Sequence, residues 1–264
     1  MGSLVTKRSE LLPGWGRDSA AADDLPNRPG KIVVIGRNYS DRDDGAAPSA
    51  APLAVFFKPP TTLIKPGEAV RLPSGIGAVR FEGELAVVIG RRCKDVPAAA
   101  YQDVVSGYTC ADDVTAWDVG TDTGHWSKAK SFDTFCPLGP RIVRGLDPTD
   151  LVIRTRVNGE LRQEGSTSRL VRSVPQLIAE VSRLMTLEPG DILLTGTPGG
   201  AGALHAGDHV EIQIDGIGTL VHTVSDAPTR PAADGGLEGS GGSFRDDPDP
   251  LCAFPEAPGR GFPA

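Results

Sequence analysis

Short apolar runs separated by Gly, Pro and polar turns dominate the hydrophobic pattern of this chain. Runs of this length, rich in β-branched residues, are typical of buried strands. They predict seven strands, at residues 31–36, 53–58, 82–89, 104–110, 151–157, 191–196 and 209–214. Asn158-Gly159, directly after one of these runs, predicts a tight hairpin turn.

Helical spacing is clear in one segment, which begins near Ser173 and carries Pro175 in its first turn. Its apolar residues recur every three or four positions, as on one buried face of a helix. Strands therefore outnumber helices and do not alternate with them regularly. This order argues against a doubly wound α/β fold and predicts an α+β protein that is mostly β.

The 264 residues divide into three parts by composition. Residues 1–30 are polar and rich in Ala, Asp and Pro, and we expect an irregular lead-in. Residues 31–226 contain all the predicted strands and form the expected catalytic domain. Residues 227–264 are rich in Pro, Gly and Asp and cannot bury enough apolar surface to stay ordered, so we expect a flexible tail.

Charge and composition narrow the function classes. A net charge of −7 argues against a nucleic-acid partner. The chain has no apolar run long enough to span a membrane, and residues 1–10 lack the apolar core of a secretory signal. The four cysteines lie far apart without a Cys-x-x-Cys pair, which fits free thiols in a reducing, cytoplasmic setting.

Glu82 and Glu84 carry the most informative chemistry. Side chains two residues apart in a strand share a face, so these carboxylates should project together and repel unless a cation lies between them. Asp113 follows the next predicted strand and completes a trio of oxygen ligands. Such a set suits Mg²⁺, Mn²⁺ or Ca²⁺ rather than zinc or copper. The Glu pair alone equally fits a solvated strand end.

Two further segments become candidate site segments only if a metal binds at these three carboxylates. Lys130 beside a metal could stabilise negative charge on an enolate, although alone it resembles an ordinary surface lysine. The turn at residues 195–200 could hold a substrate carboxylate through its backbone N–H groups and hydroxyls. Taken alone, that segment is a plain Gly/Pro turn.

Taken together, these segments resemble the fumarylacetoacetate hydrolase family. Single motifs of this kind are weak, but their collinear order is a strong signal. The matching motifs are Ile35-Gly36-Arg37-Asn38-Tyr39, Phe57-Lys58-Pro59-Pro60, Phe81-Glu82-Gly83-Glu84-Leu85, Asp113-Val114-Thr115-Ala116, Lys130-Ser131-Phe132-Asp133, Val157-Asn158-Gly159-Glu160, Leu187-Glu188-Pro189-Gly190-Asp191 and Thr195-Gly196-Thr197-Pro198.

The resemblance implies a mixed β-sandwich roll and a homodimer. It implies a divalent metal, most often Mg²⁺, at Glu82, Glu84 and Asp113, chelated by a small 2-oxo or 1,3-dicarbonyl acid. It places Lys130 in the pocket as a catalytic residue. The implied substrate-binding residues are Thr197, Arg37 and Tyr39, with Trp117 as an aromatic wall.

This chain departs from the family pattern at two places. The family's mobile lid carries a His and a Glu that activate water, whereas residues 40–45 read Ser-Asp-Arg-Asp-Asp-Gly. Asp43 or Asp44 would have to supply the base, or else His125. The family's Arg and Gln after Asp113 are replaced by Trp117 and Gly120, which predicts a more apolar pocket and makes a dicarboxylate substrate a poorer fit.

Three hypotheses follow. The first is a metal-dependent enzyme that enolises, isomerises or decarboxylates an oxo acid, as isomerase or lyase. The second is a C–C bond hydrolase of the acylpyruvate or fumarylacetoacetate type. The third is a non-catalytic scaffold that keeps the fold and the metal.

Overall fold

The computed structural model describes residues 28–40 and 52–228, and these residues form fifteen strands and three α-helices. The strands are β1 (Ile32–Gly36), β2 (Ala54–Lys58), β3 (Leu63–Ile64), β4 (Ala69–Leu72), β5 (Val79–Phe81), β6 (Gly83–Ile89), β7 (Val105–Asp112), β8 (Thr115–Ala116), β9 (Cys136–Val143), β10 (Val152–Val157), β11 (Glu160–Ser166), β12 (Ile192–Leu194), β13 (Gly202–Ala203), β14 (His209–Ile214) and β15 (Gly218–Asp226). The helices are α1 (Trp117–Thr123), α2 (Trp126–Ala129) and α3 (Val174–Leu184).

Several expectations concern residues outside this range. The lead-in and the tail lie almost wholly outside the described residues, as do Asp43 and Asp44. No described helix is long and apolar enough to cross a membrane.

All seven predicted strands are confirmed, as β1, β2, β6, β7, β10, β12 and β14. The predicted helix is confirmed as α3, whose first turn is closed by Gln176, since its Oε1 accepts the Ser173 backbone N–H at 2.8 Å. The hairpin turn is also confirmed, because Asn158 and Gly159 both adopt positive φ, at 54° and 81°.

Eight strands were missed by the apolar pattern. Five of them, β3, β4, β5, β8 and β13, have four residues or fewer. β9 contains Pro137, Gly139 and Pro140, which are unfavourable in strands, and β11 is polar because most of its side chains face solvent. In β15 a histidine, His222, occupies an inward position between Leu220 and Val224, which breaks the apolar alternation.

The strands form three sheets, and the two larger ones are of mixed direction. The largest has seven strands in the order β2-β1-β12-β6-β7-β9-β3, and the second has five in the order β11-β10-β14-β15-β4. A small third sheet pairs β13, β5 and β8. The pairs β1–β12, β3–β9 and β15–β4 are parallel, and the other pairs are antiparallel. The mostly-β prediction is therefore confirmed.

Both faces of the seven-stranded sheet are buried. Val33 and Ile35 of β1 lie in the main core, whereas Ile32 and Val34 lie in a second apolar cluster on the opposite face. The same alternation runs along β6, where Leu85 belongs to the main core. Because Glu82 and Glu84 are out of phase with Leu85, they lie on the face away from the main core.

Gly83 allows the second sheet to approach the strand between these two glutamates. A Cβ at position 83 would overlap Thr155 Oγ1 of β10 and would also approach Gln163 Oε1 of β11. The five-stranded sheet therefore packs against the bare face of Gly83.

We predict that Gly83→Ala lowers the free energy of unfolding by about 1–3 kcal/mol, because the added methyl overpacks the junction between the sheets. Thr155→Ala removes the overlapping hydroxyl, so the double variant should recover part of the loss. Chemical denaturation of the wild type, both single variants and the double variant measures this coupling. Strictly additive losses would show that the two positions do not meet.

Candidate metal centre and its charged surroundings

Strand pairing brings three carboxylates together. Antiparallel pairing sets Gly83 of β6 opposite Asp112 of β7, and the Asp113 N–H donates to the Glu82 carbonyl at 2.9 Å. One carboxylate oxygen from each of Glu82, Glu84 and Asp113 lies within 4.8 Å of the others. We call these three residues the acidic triad. The predicted convergence of the three side chains is thus present in the structure.

Two buried lysines neutralise part of the triad. Lys130 Nζ donates to Glu82 Oε2 at 2.9 Å and to Thr115 Oγ1 at 2.8 Å, and it also bonds Asp113 Oδ2. Lys58 Nζ lies 2.6 Å from Asp113 Oδ1 and donates to the Val114 carbonyl at 2.9 Å. The sequence predicted Lys130 at this site, but not Lys58, which is fully buried at the end of β2.

The electrostatic balance differs among the three acids. Burial, with the neighbouring carboxylates of Asp113 and Glu82, raises the pKa of Glu84 well above its usual value. Burial alone would also raise the pKa of Asp113, but the Lys130 and Lys58 ammonium groups outweigh it and hold that pKa low. Glu84 is therefore the carboxylate that lacks sufficient positive charge.

The donor set fits a divalent cation. Three carboxylates and two ammonium groups leave one formal negative charge in a buried site. Burial and this excess negative charge together raise the pKa of Glu84. The ligands are all hard oxygens, as Mg²⁺ and Mn²⁺ prefer. The nearby Cys136 does not alter this preference, because burial raises the pKa of its thiol to about 12 and keeps it protonated.

Glu84 is oriented by the turn that follows β12. Its Oε2 accepts the Gly196 N–H at 2.7 Å, and Gly196 adopts a φ of 103°, a conformation that favours glycine. Thr197 Oγ1 donates to the Gly83 carbonyl at 2.8 Å and accepts from Gln163 Nε2 at 2.9 Å. In this structure the turn binds the strand that carries the triad, and a substrate-binding role for Thr197 stays a prediction.

Glu82 is held by a buried pair that the sequence did not reveal. Asp112 Oδ1 accepts the Glu82 backbone N–H at 2.8 Å, while its Oδ2 lies 2.8 Å from His222 Nε2. Both side chains are fully buried. Asp112 and His222 therefore fix the backbone from which Glu82 projects. The adjacent acids at 112 and 113 were a possible signal, since neighbours in a strand face opposite sides.

Four other predicted site residues differ in their burial and position. Tyr39 is fully buried in the main core, and Arg37 is exposed at the end of β1 with a φ of 56°. His125 is exposed at the start of α2. Trp117 is the first residue of α1 and is half-buried. The roles assigned to these four residues stay predictions.

The fold and the triad define a class of protein, namely a mixed β-sheet protein with a buried carboxylate–lysine site suited to a divalent metal. Residues 31–225 match the family described as fumarylacetoacetate (FAA) hydrolase C-terminal. The chain therefore belongs to the fumarylacetoacetate hydrolase family.

Relatives within the family have diverse activities. Mitochondrial oxaloacetate tautomerase FAHD1 of Bos taurus is 43% identical over 195 residues, covering 70% of this chain and 87% of the relative. The structure of 5-carboxymethyl-2-hydroxymuconate delta-isomerase from Mycobacterium smegmatis is similar with a TM-score of 0.72 at 46% identity, covering 75% of this chain and 80% of that one. Maleylpyruvate hydrolase from Sphingobium sp. SYK-6, in complex with manganese(II) and pyruvate, has a TM-score of 0.67 at 36% identity, with 76% and 72% coverage.

We predict that Mg²⁺ raises the melting temperature of the wild type but not of Glu84→Gln, which removes a charged ligand from the triad. Below the raised pKa of Glu84 the metal must displace a proton, so its apparent affinity should fall as pH decreases, by up to about tenfold per pH unit. Calorimetric titration at several pH values measures this slope.

Glu164→Gln is the matched control, because Glu164 is exposed on β11 and pairs with Arg154. It should keep the full thermal shift. A pH-independent affinity would contradict the role assigned to Glu84.

Proposed function

We propose that this protein is a divalent-metal-dependent enzyme that interconverts the keto and enol forms of a 2-oxo acid. The observation that carries the proposal is the position of Lys130, whose ammonium is held by two members of the acidic triad and by Thr115. A positive charge fixed beside a metal site is suited to stabilising an enolate oxygen.

Enolisation removes a proton from the carbon next to the oxo group and places negative charge on oxygen. A fixed positive charge in a buried site stabilises that oxygen much more than one in water does. Burial alone would lower the pKa of Lys130, but Asp113 and Glu82 outweigh it and raise that pKa. Lys130 is therefore an ammonium at neutral pH, and its positive charge would stabilise the developing oxyanion; it is not the base.

The acidic triad would hold the metal. A bound Mg²⁺ or Mn²⁺ would supply Lewis-acid polarisation of the carbonyl oxygen. The chain's own contribution is to fix the ligands, through Gly196 on Glu84 and Asp112 on Glu82, and to set Lys130 and Lys58 against Asp113. Hydrogen-bonding groups around metal-ligating carboxylates commonly fix the orientation of those ligands in this way.

The relatives support oxo-acid chemistry. One is named an oxaloacetate tautomerase, a second a delta-isomerase, and a third was solved with manganese(II) and pyruvate, which is a 2-oxo acid. Tautomerisation and isomerisation both proceed by moving a proton and consume no water. This agrees with a sequence whose residues 40–45 contain neither His nor Glu.

C–C bond hydrolysis is a second candidate, because one relative is named a maleylpyruvate hydrolase. It would need a base to activate water, and within the described residues no histidine contacts the triad. Asp43, Asp44 or His125 would have to serve. Decarboxylation of an oxo acid would pass through the same kind of enolate as the first candidate reaction.

A homodimer and a cytoplasmic location remain predictions.

We predict that the protein with Mg²⁺ accelerates the decay of enol absorbance for 2-oxo acids, and that a chelator abolishes this. Lys130→Met should lower the rate by about a hundredfold or more, because the oxyanion loses a buried charge partner. The variant should still bind Mg²⁺, since all three carboxylates remain. Lys65→Met, at an exposed position, is the matched control and should be unchanged.

The same assay separates the alternatives. A panel of 2-oxo acids and acylpyruvates is followed for enol absorbance, CO₂ release and bond cleavage. Cleavage that is lost in Asp44→Asn would favour the hydrolase and overturn the tautomerase. Metal binding without turnover of any compound would favour the scaffold.

A further inference from the structure

Arg80 is a cation two residues before Glu82 that neither the triad nor the proposed mechanism uses. It lies in β5, is half-buried, and its guanidinium carbon sits 3.7 Å from the centre of the Trp117 ring. Within the described part of the chain its guanidinium has no hydrogen-bond or ion-pair partner. A half-buried guanidinium with five donors and only an aromatic face beneath it can still accept an anion.

Strand register places Arg80 on the face of the triad. Arg80 precedes Glu82 by two residues along an extended segment, so both side chains point to the same side, with their Cα atoms about 7 Å apart. Across the antiparallel pair, Arg80 is directly opposite Thr115 of β8. The Thr115 hydroxyl contacts Lys130 and lies 3.4 Å from Glu82 Oε2. Two independent neighbours therefore direct Arg80 toward the centre.

Trp117 is itself held in place by packing. Its ring meets Trp126 of α2 edge-on, with 5.3 Å between the ring centres. Trp126 also lies against Gly120, where a Cβ would overlap the Trp126 ring. The replacements at 117 and 120 thus form one unit, in which Gly120 makes room for Trp126 and the two indoles support Arg80.

This arrangement changes what the sequence implied. Trp117 was expected to make the pocket apolar and unsuited to a dicarboxylate. In the structure, Arg80 of β5 stacks on the Trp117 ring and supplies a positive charge there. Stacking on an aromatic face limits the rotamers of arginine and lowers the entropy lost when it binds a carboxylate.

The local charges favour an anionic substrate. The three carboxylates of the triad face three cations, Lys58, Lys130 and Arg80. A divalent metal at the triad would add positive charge, which a negatively charged substrate would neutralise.

We infer that Arg80, stacked on Trp117, binds a second carboxylate of the substrate and selects short 2-oxo dicarboxylates over 2-oxo monocarboxylates. The inference rests on the proposed function, because it assumes that the oxo-acid end of the substrate binds at the metal centre. The second carboxylate would pair with the guanidinium, and planar forks of this kind recognise carboxylates through two parallel hydrogen bonds.

The test uses two non-reacting ligands that share one end and differ in the distal group. N-oxalylglycine and N-propyloxamate share an oxalyl group for the metal, but only the former carries a distal carboxylate. Affinities are measured by calorimetry on the full chain with Mg²⁺. The wild type should prefer N-oxalylglycine, and Arg80→Gln should weaken that ligand by roughly ten- to a hundredfold while leaving N-propyloxamate unchanged.

Two variants serve as controls. Arg91→Gln removes the same charge from an exposed residue beyond the far end of β6 and should change neither affinity. Arg80→Lys keeps the charge without the planar fork and should give an intermediate preference, which also covers the case in which Arg80→Gln does not fold. An unchanged Mg²⁺-induced thermal shift shows that the triad is intact.

The outcomes separate this inference from the proposed function. No wild-type preference for the dianion, or an equal loss of both ligands in Arg80→Gln, overturns the role of Arg80 even if 2-oxo acids are turned over. An Arg80-dependent preference for the dianion supports that role even if no oxo acid is turned over, in which case the proposed function fails alone.

Discussion

Burial of three carboxylates in one small volume is the constraint on which this site depends. An ionised carboxylate removed from water loses several kcal/mol of hydration free energy unless partners replace the water. Lys58 and Lys130 replace it for Asp113 and Glu82, whereas within the described residues the hydrogen bond that Glu84 accepts comes from the backbone N–H of Gly196. The remaining imbalance is the physical reason for expecting a divalent cation there.

The packing of the two large sheets serves the same site. Gly83, between two members of the triad, lets the five-stranded sheet approach β6 closely. Polar residues occupy inward positions of that second sheet, and two of them, Gln163 and His222, link it to the triad strands through Gly83 and Asp112. Buried polar groups of this kind are hydrogen-bonded to one another, and they fix the register of the strands.

Charge distribution connects the site to the proposed chemistry. Lys130 remains protonated and faces the centre, which suits an enolate, and residues 40–45 contain neither His nor Glu. Where relatives are expected to have an arginine, Trp117 provides a ring, and Arg80 from a neighbouring strand lies over it. Substrate preference can therefore shift while the metal ligands stay the same.

The sequence by itself determined the long apolar strands, the helix α3 and the pairing of Glu82 with Glu84 on one face, because each depends on spacing within one segment. Glu82 and Glu84 share a face through the two-residue period of any strand. Only the tertiary structure decided which distant groups meet them. Lys58 and Arg80 reach the site through pairing between strands far apart in the chain, and such pairing depends on sheet register and packing, which no local pattern encodes.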